Sequence, residues 1–420
     1  MTVNKDIFGR GSLFNYDFQG VGLSNDAWAD NDRVPEQLVP THCSFCGVQC
    51  GMYLKVANGE VIGVEARDYP HNRGSLCPKG VVAYQQQAHP DRLTHPLMRK
   101  HGKGSPLERV SWDEALDYIA ARWKDLQAQY GKDYIAVCSG SSMTNEKCYL
   151  AGKFARIGIG TRHVDYNGRL CMSSAAVAYD RAFGLDRAPL PMPDIALTDC
   201  IIAAGTNVAE CFPIVMQWVW EARDHGAKLI VIDPRETPIA RTADLWLPLK
   251  PGLDIALYNA LHRQVIHDGM VDEEYIANRT SGFEAVRDAV EPFTPDYAES
   301  ICGVPAENVV AAARIYGAAP RSLIMHARGI EHSTHGVDNC LALINLALAR
   351  GQVGKPGSGT MTLTGQGNGQ GGREVGQKAS QLPGYRHIDV LEDREFIAGV
   401  WGVPESEIPR EGAAGTEMWR

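Results

Sequence analysis

The sequence predicts an α/β protein in which a small β-rich domain precedes doubly wound domains built on a mostly parallel sheet. Two observations support this fold class. Short apolar strands alternate with helical stretches over most of the chain, as in parallel sheets covered by helices. Near the N-terminus, two strand-like runs are instead joined by a tight turn, which predicts an antiparallel hairpin. With 420 residues, the chain is long enough for several domains.

The composition along the chain predicts three regions. Residues 1–40 are polar and irregular and are interpreted as an N-terminal arm. Residues 41–95 contain the hairpin "MYLKVANGEVIGVEAR", in which Asn58 and Gly59 form the turn. Residues 96–420 carry the α/β alternation. We find no short-period internal repeat in any of these regions.

The α/β region opens with a helix that begins after Ser111. Ser111 is the predicted N-cap, and Glu114 completes a capping box ahead of apolar residues at helical spacing. The elements that follow alternate in type. Strands are predicted in 133–140, 199–210, 227–237 and 321–329, and helices in 145–157, 212–226 and 337–350.

Charge and hydropathy exclude several kinds of partner. The net charge is −9 with no Lys/Arg run, which argues against nucleic acid. No stretch reaches the ~18 consecutive apolar residues that a membrane span needs. The N-terminus lacks an apolar signal core and paired arginines, so a cytoplasmic protein is expected. Eleven cysteines without a regular framework do not predict disulfide bonds in such a compartment.

Three cysteines lie close together at Cys43, Cys46 and Cys50, and a fourth follows at Cys77. Four thiolates suit either a [4Fe-4S] cluster or a structural zinc ion. The single close trio favours the cluster, because zinc sites more often pair two C-x2-C knuckles. Four buried cysteines without a metal are the third alternative. Lys79 is either a surface charge or a cation that neutralises the cluster or bridges to a second cofactor.

A nucleotide-containing ligand is predicted from two neighbouring strand ends. Gly205 lies between a strand and a helix, where backbone N–H groups can hold a phosphate. Asp233 and Arg235 end the next strand, where an acid can accept ribose hydroxyls or a base amide. The tract "TGQGNGQGGREVGQ" is either a flexible linker or a loop whose glycines let backbone approach a flat ligand. Cys171, considered alone, is typical of a small buried hydrophobic residue.

Taken together, these motifs resemble those of the molybdenum or tungsten oxidoreductases that carry two molybdopterin guanine dinucleotides. That family includes formate dehydrogenases and the periplasmic and assimilatory nitrate reductases. The resemblance extends from Pro40 to Leu382, and its most specific parts are the cysteine motif with "RGSLCPKG" and the later "GGREVG". It implies a [4Fe-4S] domain over residues 41–95 and molybdopterin dinucleotide-binding domains over 96–420.

The resemblance also implies roles for individual residues. The four cysteines would bind the [4Fe-4S] cluster, and Lys79 would lie between that cluster and one pterin. The resemblance places Cys171 at the position of the protein ligand to molybdenum. This replaces the interpretation of Cys171 as a small buried hydrophobic residue. Contacts to one guanine dinucleotide are implied for Gly205, Asn207, Asp233, Arg235 and Asp254, and contacts to the pterin region for Gly329, His335, Gln366 and Asn368.

Within this family the resemblance favours nitrate as the substrate. Met172 follows Cys171, as in nitrate reductases that use cysteine, whereas formate dehydrogenases typically have histidine there. Arg373 in "GGREVG" would be the cation beside the metal and could hold an oxyanion through two hydrogen bonds. The implied donor is ferredoxin, flavodoxin or an NADH-linked reductase subunit. The missing export signal favours the assimilatory, cytoplasmic branch.

Three alternatives stay open from the sequence. Formate dehydrogenase, or another member of the family, is the enzyme alternative. A cluster-only electron-transfer subunit would need the four cysteines but not Cys171 or "GGREVG". A zinc-stabilised binding module is the third. Family members continue with a further domain over the second dinucleotide, whereas this sequence ends at "GTEMWR". That C-terminal domain is therefore expected to be missing, and the chain to be shortened.

Overall fold

The structure, a computed structural model, describes residues 34–187 and 189–419. The chain forms two compact units, and each is assembled from segments that are not contiguous in sequence. Among the described residues, unit 1 comprises 34–45, Gln49–Tyr166 and 371–419, and unit 2 comprises Cys46–Val48, 167–187 and 189–370. Residues 1–33 of the predicted arm lie outside the described residues. The predicted domain boundaries at residues 40 and 95 stay predictions.

Unit 1 begins with an antiparallel sheet of three strands in the order β1-β2-β3. Asn58 and Gly59 have φ angles of 51° and 76°, as a two-residue type I′ turn requires, and they join β2 to β3. The predicted hairpin is therefore confirmed, with β1 added to it from the end of the predicted arm. The strands are β1 (Gln37–His42), β2 (Gly51–Ala57) and β3 (Glu60–Ala66).

The remainder of this part of unit 1 is mainly helical. Ser111 caps the long helix α3 by accepting a hydrogen bond from the backbone N–H of Glu114 at 3.0 Å. The Glu114 carboxylate instead pairs with Lys100 at 2.8 Å, so only half of the predicted capping box forms. The elements are α1 (Pro78–Val81), α2 (Gln85–Ala88), β4 (Leu97–Met98), β5 (Glu108–Arg109), α3 (Trp112–Tyr130), β6 (Val137–Ser139), α4 (Asn145–Lys153), a π-helical segment (Phe154–Ile159) and β7 (Val164–Tyr166).

Unit 2 is an α/β body around a five-stranded parallel sheet. Its elements are α5 (Gly168–Cys171), α6 (Ser173–Phe183), β8 (Cys200–Ala204), α7 (Val208–Cys211), α8 (Met216–Asp224), β9 (Lys228–Ile232), β10 (Leu245–Leu247), α9 (Asp254–His267), α10 (Glu273–Arg279), α11 (Phe283–Val290), α12 (Pro295–Cys302), α13 (Ala306–Ala318), β11 (Ser322–His326), α14 (Arg328–Glu331), α15 (Gly336–Ala349) and β12 (Gly359–Thr362).

The strand order of this sheet is β10-β9-β8-β11-β12. The chain starts in the middle at β8, moves outward to one edge, and then returns to build the other half from β11. This is the doubly wound order predicted by the strand–helix alternation, and it creates a switch point between β8 and β11. All residues of β8 and β11 are buried, which is why β8 is a continuous apolar run and β11 has an apolar centre, rather than an alternating pattern.

The chain then returns to unit 1. The Gln/Gly-rich tract forms α16, in which Arg373 is only 2% exposed, so the flexible-linker alternative is wrong. Leu382, Ile388, Ile397 and Trp401 pack with Ile408 into a small separate core. None of the helices in the described ranges has the length and apolar composition of a bilayer-spanning segment. The last elements are α16 (Gly369–Glu374), β13 (Gln381–Leu382), β14 (Arg386–His387) and α17 (Leu391–Trp401).

Candidate active site

The loops after β8 and β11 meet at the switch point through two glycines. The N–H of Gly329 donates to the carbonyl oxygen of Gly205 at 3.0 Å. A Cβ on Gly329 would lie 2.5 Å from that oxygen, and a Cβ on Gly205 would lie 2.7 Å from Cγ2 of Ile330. Gly205 also has a φ of +55°, in the left-handed region. Both positions therefore require glycine, which brings the two loops into direct backbone contact.

The ends of β8 and β9 offer polar groups to a ligand. Oδ1 of Asp233 accepts from the backbone N–H of Arg235 at 2.9 Å, and this bond fixes the turn. The Arg235 side chain is 72% exposed. Thr206 Oγ1 and Asn207 Oδ1 are buried with no hydrogen-bond partner among the residues that the structure describes. Buried oxygens without a partner fit a nucleotide site, because the hydroxyl and amino groups of a nucleotide could donate hydrogen bonds to them.

Asp254 adds a second carboxyl group near Asp233. It begins α9 and is only 8% exposed. Burial raises the pKa of Asp254 above its ordinary value, and the negative charge of Asp233 adds to the shift. Two carboxyl groups near one strand end suit a base that presents several N–H donors, as guanine does.

Cys171 lies at the junction of α5 and α6. Its side chain is partly exposed, whereas Cys200 and Cys340 are 0% exposed in the core. Cys171 is therefore not the small buried hydrophobic residue that it suggests by itself. Its carbonyl oxygen lies 2.7 Å from Nε2 of His332. Because a carbonyl only accepts, that ring nitrogen carries the proton.

The loop after β12 packs against the segment that carries Cys171. Met172 is 2% exposed, and its sulfur lies 3.9 Å from Oγ1 of Thr364. Asn167, ahead of α5, donates its side-chain amide to the side-chain oxygen of Gln366. Asn368 is half-buried in the same loop. Three of the predicted positions, Cys171, Met172 and Gln366, are thus brought together at one end of the sheet.

A cation that the sequence analysis missed lies next to Cys171. Nη1 of Arg328 is 3.7 Å from Sγ of Cys171. The only sequence indication of it is the pair of charged residues in "ARGIEH", directly after β11. Of the other predicted residues, His335 is exposed at the N-cap of α15. Arg373 is buried within unit 1, and its placement beside the metal stays a prediction.

The cysteine motif lies in ordered backbone. Cys43, Cys50 and Cys77 are buried in unit 1, where the N–H of Cys43 donates to the carbonyl of Cys50 at 2.8 Å. Cys46 is partly exposed, and no disulfide bond involves any of the four within the described ranges. Lys79 is half-buried in α1. Four cysteine thiols are the donor set that an iron–sulfur cluster requires.

A doubly wound sheet with polar groups at its strand ends, in a chain with a four-cysteine motif, suits an oxidoreductase that has a nucleotide-type cofactor and an iron–sulfur centre. Two family models match this chain. "Molybdopterin oxidoreductase" matches residues 92–402, and "Molybdopterin oxidoreductase Fe4S4 domain" matches residues 36–89. The chain belongs to the molybdopterin oxidoreductase family. The family and the fold class predicted from the sequence are thereby confirmed, and a molybdopterin cofactor and an Fe4S4 cluster are implied.

The proteins that this chain is similar to differ in the reactions for which they are named. The chain is 42% identical to the assimilatory nitrate reductase catalytic subunit of Bacillus subtilis over 391 residues, which cover 92% of this chain and 55% of that protein. It is 36% identical to formate dehydrogenase H of Escherichia coli, over 90% of this chain and 54% of that protein. Acetylene hydratase from Pelobacter acetylenicus has a similar structure, with a TM-score of 0.67 and 25% sequence identity. The similarity covers 75% of this chain and 44% of that protein. The chain spans about half the length of these relatives.

Proposed function

We propose that the whole protein reduces nitrate to nitrite at a molybdenum centre held by two molybdopterin guanine dinucleotides and supplied with electrons by a [4Fe-4S] cluster. The observation that carries this proposal is the environment of Cys171. A cation, Arg328, is 3.7 Å from the Cys171 sulfur, while the adjacent side chain, Met172, is a buried thioether with no proton to exchange. The cation suits either oxyanion, nitrate or formate, and nitrate is favoured because the Met172 thioether is not a base that could remove a proton.

The proposal gives each group of residues a task. Cys171 would be the soft protein ligand, and the molybdenum cofactor would supply oxygen-atom and electron transfer when bound. One dinucleotide would be held beside the loop contact of Gly205 and Gly329, by Asn207, Asp233, Arg235 and Asp254. The pterin would be contacted by His335, Gln366 and Asn368. The [4Fe-4S] cluster would be held by Cys43, Cys46, Cys50 and Cys77. Lys79 would lie on the electron path from the cluster, and Arg373 would lie near the metal. Tungsten is the alternative metal.

Formate oxidation is the second candidate, because formate dehydrogenase H is nearly as similar to this chain as the nitrate reductase subunit is. That reaction takes a proton from carbon and needs a base. The Nε2 of His332 donates to the Cys171 carbonyl, so that nitrogen is not a proton acceptor. The side chain that follows Cys171 is Met172, whose buried thioether is not a base, and this favours nitrate. An electron-transfer subunit that holds only the cluster would not need Cys171 or the residues around it.

The physiological setting is part of the same proposal. The Bacillus subtilis relative is named as assimilatory, and nitrate assimilation in the cytoplasm would be served by this activity. The reduction of nitrate to nitrite and water consumes two electrons and two protons. A ferredoxin, a flavodoxin or an NADH-linked reductase subunit would supply the electrons through the cluster.

The test compares two substrates on the purified holoenzyme. With reduced methyl viologen we expect nitrite to form from nitrate, and with oxidised benzyl viologen we expect little formate oxidation. The change Cys171→Ser should abolish nitrite formation without altering iron content, because serine is a harder ligand than thiolate. Cys211→Ser, at an exposed cysteine, is the matched control and should stay active. Formate oxidation without nitrate reduction would overturn the substrate assignment.

A further inference from the structure

Arg328 is held in one orientation beside Cys171. It begins α14, directly after β11. Its Nη2 donates to the Glu331 carboxylate at 2.5 Å and to Thr362 Oγ1 at 3.0 Å. Its Nη1 faces the Cys171 sulfur at 3.7 Å. With one end of the guanidinium anchored, the other end is fixed next to the proposed metal ligand.

The anchor is a buried carboxylate with three donors. Oε1 of Glu331 accepts from Arg328, from Thr362 Oγ1 at 2.8 Å and from His326 Nδ1 at 3.1 Å. His326 and Thr362 are register partners on β11 and β12, so the sheet itself sets the spacing of these two donors. Burial opposes ionisation, but the hydrogen bonds from His326 and Arg328 outweigh it and hold the pKa of Glu331 at about 2. The carboxylate is thus charged and immobile.

The same cluster has the residue types of a metal site, but its chemistry argues against one. Ligand atoms of His326, Glu331 and Cys340 all lie within 4.8 Å of one another. However, the positive charge of the adjacent Arg328 would repel a cation, although the second carboxylate oxygen of Glu331, Oε2, has no hydrogen-bond partner among the described residues. Burial raises the pKa of Cys340, so its thiol stays protonated and is a poor ligand. The cluster therefore orients Arg328 rather than binding metal.

Arg328 keeps hydrogen-bonding capacity on the side of Cys171. Its Nη1 carries two N–H groups, and among the residues that the structure describes their acceptor is the Cys171 sulfur, at a long distance. Sulfur is a weak acceptor, so an oxygen anion placed there would be preferred. The side chain is 20% exposed, which leaves this end reachable. A guanidinium suits a planar oxyanion such as nitrate, because its N–H groups lie in one plane.

We propose that Arg328 is a substrate-binding residue that holds a small planar oxyanion beside the Cys171 sulfur, and that Glu331 is its positioning residue. This role was expected for Arg373 from the sequence. The inference rests on the proposed function for the position of the metal, but not for the choice of nitrate over formate. Formate is also a small planar oxyanion.

The first test uses steady-state kinetics of the holoenzyme. A hydrogen bond from a charged donor is worth enough that Arg328→Gln should raise KM for the substrate by roughly 10- to 100-fold, with a smaller change in kcat. Arg328→Lys should recover part of the loss, since it keeps the charge but not the planar fork. Glu331→Gln should also raise KM, because it releases the anchor. Arg321→Gln is the matched control, since Arg321 pairs with Asp199 at the opposite end of β11.

The second test needs neither cofactor nor turnover. Full-length protein without molybdenum cofactor is alkylated with anionic iodoacetate or with neutral iodoacetamide, and the rates at Cys171 are measured by mass spectrometry. Both reagents react with the Cys171 thiolate, so the fraction of thiolate cancels when the iodoacetate rate is divided by the iodoacetamide rate. The ratio then reports how strongly the site attracts an anion. We expect the ratio to fall several-fold in Arg328→Gln and to stay unchanged in Arg321→Gln.

The outcomes separate this inference from the proposed function. A raised KM for formate, in an enzyme that does not reduce nitrate, would overturn the function and support Arg328. An unchanged KM would overturn the role of Arg328 even in a true nitrate reductase. If Arg328→Gln fails to load cofactor, an unchanged alkylation ratio overturns the role and a lowered ratio supports it.

Discussion

At the scale of single residues, Asn72 connects the chain segments around two of the cluster cysteines. Its side chain is 0% exposed. Oδ1 accepts from the N–H of Gly51 at 2.9 Å, next to Cys50. Nδ2 lies within hydrogen-bonding distance of three backbone carbonyls, those of Gly51 at 3.1 Å, Arg67 at 3.1 Å and Ser75 at 2.9 Å. One side chain thus fixes the loop ahead of Cys77 against β2 and the end of β3.

We expect Asn72→Ala to lose iron although no cysteine is changed. The substitution leaves several buried backbone groups without partners, at about 1–3 kcal/mol for each group. The binding of a metal centre is part of the folding free energy of such a domain, so a looser loop should also lower the affinity for the cluster. The measurement is iron and acid-labile sulfide per chain, together with the thermal unfolding midpoint.

The control for this change is Asn278→Ala. Asn278 makes one exposed hydrogen bond within α10, so its loss should be nearly neutral. Full iron occupancy in Asn72→Ala at an unchanged unfolding temperature would contradict the prediction.

The roles of single residues were predictable only where a motif marks them. The four cysteines stand out by spacing alone. Cys171 does not, and neither its partial exposure nor its neighbour Arg328 can be derived from local sequence. The contact of Arg328 with Thr362 depends on β11 and β12 being adjacent strands, which is a property of the sheet.

At the scale of elements, the central strands were predictable and the outer ones were not. The central strands β8, β9 and β11 each contain a run of at least three consecutive apolar residues. By contrast, β12 has the sequence "GTMT" and β10 only "LWL". These short segments become strands because they pair with β11 and β9, so tertiary context decides their structure.

Helix α9 contains a buried histidine that makes stability depend on pH. His262 is 1% exposed, and burial lowers its pKa to about 4. An unfolded histidine has a pKa of about 6.5, so the unfolded chain binds more protons between these two values. The stability contributed by the neutral form is fully present above pH 6.5. It is lost as the pH falls from about 6.5 to about 4, by up to ~3 kcal/mol.

We expect His262→Leu to flatten the pH dependence of unfolding in this window. Leucine has no proton to bind, so the difference in free energy of unfolding between pH 7 and pH 4.5 should shrink by about 2–3 kcal/mol. Denaturant titrations at both pH values measure it. His267→Leu, at an exposed histidine on the same helix, should leave the dependence almost unchanged. Parallel curves for His262→Leu and the unmodified protein would exclude His262 as the source.

At the scale of the whole molecule, Arg156 joins segments of unit 1 that are far apart in sequence. It is 1% exposed in the π-helical segment after α4. Its guanidinium donates to the carbonyls of Gly376 at 2.6 Å, Lys378 at 2.9 Å and Gln381 at 3.1 Å. Burial lowers its pKa to about 10, so it stays charged at neutral pH. The returning segment, 371–419, is thus anchored to the first part of the unit.

We expect Arg156→Met to destabilise unit 1 by about 3–5 kcal/mol, because methionine fills part of the volume but satisfies none of the three carbonyls. Thermal unfolding should show the loss, and limited proteolysis should cut first within residues 371–419. The matched control is Arg162→Met, which removes an exposed ion pair with Asp133 and should cost less than ~1 kcal/mol. Equal stability of the two variants would refute the anchoring role.

The interleaving of the two units also has a consequence during synthesis. The first part of unit 1 leaves the ribosome before about 200 residues of unit 2 have been made, and its final segment starts only at Gly371. At about 5–20 residues per second, this delay lasts roughly 10–40 s. Throughout that interval Cys43, Cys50 and Cys77 belong to an unfinished unit. We therefore expect these thiols to meet oxidants and other metals while unit 1 still lacks its final segment.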